Sequence, residues 1–125
     1  MRRKKARSQT LVLKTSHSEH SEQVGFVNWF REKYPKVLIF AIPNGEKRAI
    51  SVATRLKAEG VTRGIPDLYI PSCNLWVEMK RVKGGRISPD QKKIISYLES
   101  VGHTVIVGKG ATDASKQVLE FFDAR

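Results

Sequence analysis

The sequence is poor in cysteine, in acidic residues and in long apolar stretches. Its one cysteine, Cys73, excludes an intrachain disulfide and the zinc frameworks that need several cysteines. No apolar run approaches the ~20 residues that a membrane-spanning helix requires. The segment after the basic start MRRKKAR is too short and too polar for the core of a signal peptide. We therefore expect a protein of a reducing cytoplasm, with no membrane partner.

The scarcity of acids leaves a large positive charge. Twelve Asp and Glu residues face 23 Lys and Arg residues, which gives a formal net charge of +11. Such an excess does not determine the fold, but it favours nucleic acid or an anionic membrane surface as the partner. The length of 125 residues, with 40% apolar and 28% charged residues, predicts one globular domain. We place it at residues 16–125, after a basic flexible tail over residues 1–15 that either only solubilises the chain or pairs with phosphates.

Hydrophobic spacing and turn signals predict an α/β domain. In chain order the expected elements are a helix over 18–34, a strand over 37–42, a helix over 49–59, strands over 67–70 and 75–80, a helix from Ser88 to Gly102, a strand over 104–107 and a helix over 114–122. The wholly apolar strand 37–42 is expected to be buried on both faces. Strands 67–70 and 75–80 should form an antiparallel hairpin, and the crossover to strand 104–107 should be parallel and right-handed. The expected result is a small mixed sheet flanked by helices.

Strand periodicity brings chemical groups together in the strand 75–80. Successive side chains alternate faces, so Trp76, Glu78 and Lys80 share one face and the apolar residues between them share the other. If the hairpin pairs as expected, Asp67 lies at the start of the neighbouring strand, beside Glu78. Packing under a helix is the simplest interpretation of Trp76.

Two neighbouring carboxylates and a lysine suit hydrolysis of a phosphodiester. The carboxylates repel each other unless a cation lies between them, and hard oxygen ligands suit Mg²⁺ or Mn²⁺. Such an ion lowers the pKa of its bound water and neutralises charge on phosphate oxygens. A lysine beside that water can orient it or accept its proton. The alternative is a solvated Glu-x-Lys ion pair that contributes little.

The order of these residues resembles a known nuclease motif. Pro66-Asp67 followed by Glu78-Met79-Lys80 looks like the PD-(D/E)xK motif, and more narrowly the chain resembles the virus-type replication-repair nuclease (VRR-NUC) family over residues 18–122. The other matching pieces are Glu22-Gln23, Pro43-Asn44-Gly45 with Arg48, Gly60, Gly64-Ile65, Ser88 with Gln91, and Gly102-His103-Thr104-Val105.

The resemblance implies a fold and a set of site residues. The implied fold is a restriction-endonuclease-like αβββαβ core. The metal would be held by Asp67, Glu78 and the backbone carbonyl of Met79, and Lys80 would position or activate the attacking water. Glu22 matches the family's additional carboxylate, as a metal ligand and catalytic residue, and Glu19 matches it less well. Gln91 matches the catalytic glutamine of the following helix.

A group of basic residues surrounds the proposed site in sequence. We interpret them as a surface that contacts DNA phosphates, which positions DNA without reading its sequence. The alternative is a solvated charged face, and for Arg48 a surface ion pair. The candidate DNA-binding residues are Arg48, Arg81, Lys83, Arg86, Lys92 and Lys93.

The resemblance implies a Mg²⁺- or Mn²⁺-dependent DNA endonuclease. Small members of this family resemble phage and bacterial enzymes that cut branched DNA, Holliday junctions in particular, so a homodimer in a bacterial or phage-infected cell is expected. Neither a small-molecule substrate nor a membrane partner is expected. The alternatives are a basic nucleic-acid-binding module without catalysis and a nicking or flap nuclease of the same fold.

Overall fold

The computed structural model describes residues 17–43 and 49–125. The elements in chain order are α1 (Glu19–Lys33), β1 (Phe40–Ala41), α2 (Ile50–Ala58), β2 (Leu68–Ile70), β3 (Leu75–Lys80), α3 (Pro89–Ser100), β4 (Thr104–Lys109) and α4 (Ala111–Asp123). The basic tail 1–15, the turn at Asn44-Gly45 and Arg48 lie outside the described residues, so these predictions stay predictions. Within the described residues, no helix combines the length and apolar character needed to cross a bilayer.

The strands form one mixed sheet in the order β1-β2-β3-β4. The first three strands are antiparallel, and β3 pairs with β4 in parallel through α3, as a β-α-β crossover requires. The predicted hairpin is confirmed: Tyr69 pairs with Trp76, and a 3₁₀ turn over Pro71–Cys73 reverses the chain. The turn closes through Asn74 at φ 49°, a left-handed conformation that asparagine tolerates.

One face of the sheet forms the core. Leu75, Val77 and Met79 of β3 are fully buried there, as the alternation along this strand predicts. They pack with Phe26 and Phe30 of α1, which are four residues apart and so lie on the same side of that helix. Helix α4 covers the rest of this face. Because side chains alternate along β3, Trp76, Glu78 and Lys80 lie on the opposite face of the sheet.

The opposite face carries the other side chains of β3 and receives α3. Helix α3 begins as predicted at Ser88 and Pro89, where Ser88 and Gln91 form a reciprocal capping box. This cap fixes the first turn of α3 above β3. Helix α2 lies at the periphery, with no fully buried residue among its positions.

The sequence predictions for the ends of β1, β4 and α4, and for the burial of β1, are wrong. The strand expected over 37–42 is only the two-residue edge strand β1, with Leu38 62% and Phe40 39% exposed, because it pairs with β2 alone. The last helix begins at Ala111 instead of residue 114, and β4 continues to Lys109. Trp76 packs on the rings of Tyr69 and His103, and its predicted packing under a helix stays a prediction.

Candidate active site

Asp67 and Glu78 face each other across the β2–β3 ladder. Leu68 pairs with Val77, so one step further the antiparallel register sets Asp67 opposite Glu78 on the same face. Asp67 Oδ2 accepts a 2.7 Å hydrogen bond from the backbone N–H of Met79. The sequence therefore predicted correctly that the two acids converge.

The side chain of Glu78 is 98% buried, and its two oxygens have different surroundings. Oε2 accepts a 2.8 Å hydrogen bond from Gln91 Nε2 and lies 3.3 Å from Lys80 Nζ. Oε1 is buried without a hydrogen-bond partner. Because a buried carboxylate oxygen normally has a partner, Oε1 is suited to receive a cation or a proton.

Burial and mutual repulsion change the acidity of both carboxyls. Burial, then the charge of Asp67, raises the pKa of Glu78 to about 7, against the opposing effect of Lys80. Burial also raises the pKa of Asp67, although the Met79 N–H and the charge of Lys80 act in the other direction. Perturbed carboxyls of this kind concentrate at functional sites. In the metal-free site, a proton on one of the two carboxyls relieves their repulsion. A divalent cation bound between them would offset the same repulsion.

The two acids of α1 have different surroundings. Glu22 is 91% buried, and its Oε1 accepts a 2.7 Å hydrogen bond from the backbone N–H of Ala111, the first residue of α4. The structure thus engages Glu22 Oε1 as a helix cap, and the role of Glu22 as a metal ligand and catalytic residue stays a prediction. Glu19 lies in a cleft of roughly 560 Å³ that Asp67 also lines. Its charge raises the pKa of both Asp67 and Glu78.

The cap formed by Glu22 is linked to Lys80 through Gly110. Gly110 adopts φ 91°, and a Cβ there would lie 2.6 Å from a methyl carbon of Val82 and 3.3 Å from Glu22 Oε1. Its N–H donates a 2.8 Å hydrogen bond to the carbonyl oxygen of Lys80. Glu22 and the carbonyl of Lys80 therefore both bond the backbone of the β4–α4 turn.

Gly64 allows α3 to approach the site. A Cβ at this position would lie 2.6 Å from the carbonyl oxygen of Asp90 and 3.0 Å from the backbone nitrogen of Gln91. With φ at 90°, the position also strains any residue with a side chain. The loop before Asp67 can therefore pack against the start of α3, the turn from which Gln91 reaches Glu78.

Comparison with known proteins identifies the family. The sequence model of the VRR-NUC domain matches residues 3–112. The chain belongs to the VRR-NUC family. A search of curated proteins found no match. Family membership gives the chain a nuclease-type function, that of a hydrolase.

A solved structure named VRR_NUC domain protein has the same fold. It matches with a TM-score of 0.72 and 23% sequence identity, covering 87% of this chain and 91% of the other. This likeness confirms the fold class, a small mixed sheet flanked by helices. The VRR-NUC domain therefore has the α/β architecture that the sequence predicted.

Apart from Arg48, the candidate DNA-binding residues follow the end of β3 in the chain. The described ones are all exposed, on the loop after β3 and on the first turns of α3: Arg81, Lys83, Arg86, Lys92 and Lys93. Sequence reasoning missed Lys109, which is exposed and pairs in register with Lys80. It was missed because the last strand was expected to end two residues earlier.

The sequence contained a signal for the burial of Glu22. This residue lies four positions before Phe26 and eight before Phe30, so it falls on the buried stripe of α1. A carboxylate on such a stripe needs a buried partner, which the sequence does not reveal. Glu19 is one turn closer to the helix start and reaches the cleft instead.

The raised pKa of Glu78 predicts a pH-dependent effect of Glu78→Gln on stability. Below the unfolded pKa near 4.5 both states are protonated, and between this value and about 7 the unfolded state releases its proton more easily. The contribution of Glu78 to stability is therefore lost as pH rises. Gln does not titrate, so Glu78→Gln should gain stability relative to wild type from pH 5 to pH 8, by up to about 3 kcal/mol.

Urea unfolding of both proteins in EDTA measures this difference. Glu99→Gln, a change at an exposed acid of α3, is the matched control and should show no such trend. A difference between wild type and Glu78→Gln that stays constant over this pH range would contradict the assignment.

The hydrogen bond from Ala111 predicts that Glu22→Ala destabilises the fold more than Glu19→Ala. The first change removes the cap of α4 and leaves a half-buried N–H without a partner, at a cost of about 1–3 kcal/mol. The second removes an exposed side chain and should change the free energy of unfolding by less than about 0.5 kcal/mol. Urea unfolding at one pH compares them, and equal effects would show that the cap does not stabilise α4.

Proposed function

We propose that this VRR-NUC domain is a Mg²⁺- or Mn²⁺-dependent endodeoxyribonuclease that hydrolyses phosphodiester bonds in branched DNA. One observation carries the proposal: Glu78 Oε1 is buried without a hydrogen-bond partner. Glu78 lies opposite Asp67, and its other oxygen, Oε2, accepts a hydrogen bond from Gln91. A structural ion pair would not need a second carboxylate at this point. In a family of nucleases, this arrangement is best explained as half of a cation site.

The residues present fit a divalent cation of the hard class. Asp67 and Glu78 offer carboxylate oxygens, and the family resemblance adds the backbone carbonyl of Met79. Among residues 17–43 and 49–125, no group of three or more His, Cys, Asp or Glu side chains is arranged to hold a metal ion. The backbone oxygen is therefore an essential part of the proposed ligand set. When bound, the ion supplies a more acidic water and neutralises charge on the phosphate.

Gln91 and Lys80 orient the carboxylate and the attacking water. Both lie at the same oxygen of Glu78, at 2.8 Å and 3.3 Å, so Oε1 remains for the ion. Lys80 is 93% buried and kept beside the acids, which limits the positions that its ammonium group can take. From there it can orient a water molecule or exchange a proton with it.

The surface charge fits DNA as the substrate. The exposed basic side chains after β3 lie next to the acids, and a phosphate backbone following them would pass the site. A two-fold axis relates the strands of a four-way junction in pairs, so we further propose a two-fold homodimer, in which each protomer cuts one strand of a symmetric pair. The dimer rests on family analogy.

A cleavage assay with matched variants tests the catalytic proposal. Wild type should cut labelled DNA with Mg²⁺ or Mn²⁺ and not in EDTA, and Lys80→Ala should lower the rate by about 10²–10⁴-fold. Lys116→Ala, at an exposed lysine of α4, is the control and should cut at the wild-type rate. Binding without cleavage under either ion would favour the non-catalytic module.

A thermal unfolding experiment tests metal binding separately. Mn²⁺ should raise the Tm of wild type and not that of Glu78→Gln, because that variant lacks a carboxylate ligand.

A substrate panel tests the preference for branches. Four-way junction, flap, nicked duplex, linear duplex and single-stranded DNA of matched sequence are incubated with either ion, and product is measured over time. We expect the junction to be cut fastest, because its symmetric strands suit a dimer. Preference for flap or nicked DNA would replace the junction assignment, and equal cutting of linear duplex would remove branch preference while leaving the nuclease proposal intact. Light scattering of the free protein measures its oligomeric state.

A further inference from the structure

An aromatic row crosses the sheet next to the acids. Phe40 of β1 pairs with Tyr69 of β2, and Tyr69 pairs with Trp76 of β3. Side chains in register on adjacent strands share a face, so the rings form one row across three strands. The next row along the same strands is that of Asp67 and Glu78, two residues or about 7 Å further on.

The rings in this row are fixed by contacts among themselves. The ring centroids of Tyr69 and Trp76 are 4.2 Å apart, and Phe40 meets Tyr69 edge-on at 5.8 Å. The imidazole of His103 lies nearly parallel to the rings of Tyr69 and Trp76, at 6.2 Å and 6.3 Å. The rings of the aromatic row are thus packed against one another and against His103.

The polar atoms of the row are used within the protein. Trp76 Nε1 donates a 2.8 Å hydrogen bond to His103 Nδ1, and the Tyr69 hydroxyl donates a 2.6 Å hydrogen bond to Asn74 Oδ1. Both partners lie toward the start of β3, away from the acids. Phe40, which has no polar group, is 39% exposed at the sheet edge and also lines the cleft that contains Asp67. Tyr69 and Trp76 are half-buried, so the row offers Phe40 and part of these two rings as accessible ring surface, and not hydrogen bonds.

We infer that the aromatic row stacks an unpaired nucleobase whose backbone runs to the acids. Every base has a π face, so stacking on fixed rings binds bases without reading sequence. Bases inside a duplex are already stacked on each other, so only an unpaired or splayed base can reach the row. A base and its phosphate are joined through one sugar, which connects the aromatic row to the neighbouring acidic row. This inference rests on the proposed nuclease function and names the feature of the substrate that the site selects.

Fluorescence of 2-aminopurine in metal-free buffer tests the inference. The analogue is placed at an unpaired position beside a duplex and, in a second DNA, within the fully paired duplex, and the full chain is titrated in EDTA so that no strand is cut. Wild type should bind the first DNA more tightly and quench its fluorescence. Phe40→Leu and Tyr69→Leu keep apolar bulk but lose the π face, so they should bind it about 5- to 150-fold more weakly with the quench lost. Binding of the paired duplex should not change.

Tyr97→Leu is the matched control, since Tyr97 is a 63% exposed aromatic residue on α3 outside the row. It should behave as wild type, and circular dichroism checks that each variant folds. Wild-type binding and quenching by both row variants would overturn the inference, and so would equal weakening toward both DNAs. If the two row variants lose the quench as expected but wild type cuts no DNA with either ion, the nuclease proposal alone is refuted. Cleavage with an unchanged substrate preference in both row variants would refute the inference alone.

Discussion

Two buried carboxylates that face each other impose the strongest constraint on this structure. Asp67 and Glu78 repel, and burial makes the repulsion stronger than it would be in water. Each is therefore kept in place by hydrogen-bond donors. The Met79 N–H bonds Asp67, and the side chains of Gln91 and Lys80 contact Glu78. These bonds reduce the cost of the pair without removing it, because Glu78 Oε1 has no partner. The site is assembled at the expense of stability, as functional sites commonly are.

The core on one face of the sheet determines the chemistry on the other. Leu68 and Val77 are paired and buried, and a slip of one residue would bring Glu78 into the apolar core. Apolar burial at about 25 cal/mol per Å² makes such a slip far more costly than the repulsion of two acids. The register that the core enforces is thus what keeps the carboxylates together. The close approach of the loop at Gly64 to α3 then supplies Gln91 to the same pair.

Features set by local periodicity could be predicted from the sequence, and features set by distant partners could not. The alternation along β3 and the hairpin before it placed Glu78, Lys80 and Asp67 on one face. The start of α4 was missed because its cap is Glu22, 89 positions away in the chain. Strand 37–42 was predicted to be buried because an apolar run does not distinguish a central strand from an edge strand. The role of Glu22 at the metal was assigned by resemblance and stays a prediction, and its bond to the N–H of Ala111 could not be predicted from the sequence.

Charge is distributed so that the basic side chains and the acids occupy different layers of the candidate site. The basic side chains are exposed, where they attract phosphates over about a Debye length, and the acids are buried, where they repel a phosphate at short range. With a pKa of about 7, Glu78 keeps a proton in part of the population at neutral pH, and this proton offsets the repulsion in the metal-free chain. The proposed divalent cation would require the ionised form, so it would compete with that proton for the same carboxylate. If the chain binds the proposed ion, uptake at neutral pH would release protons, and the affinity for the ion would rise with pH until Glu78 is fully ionised.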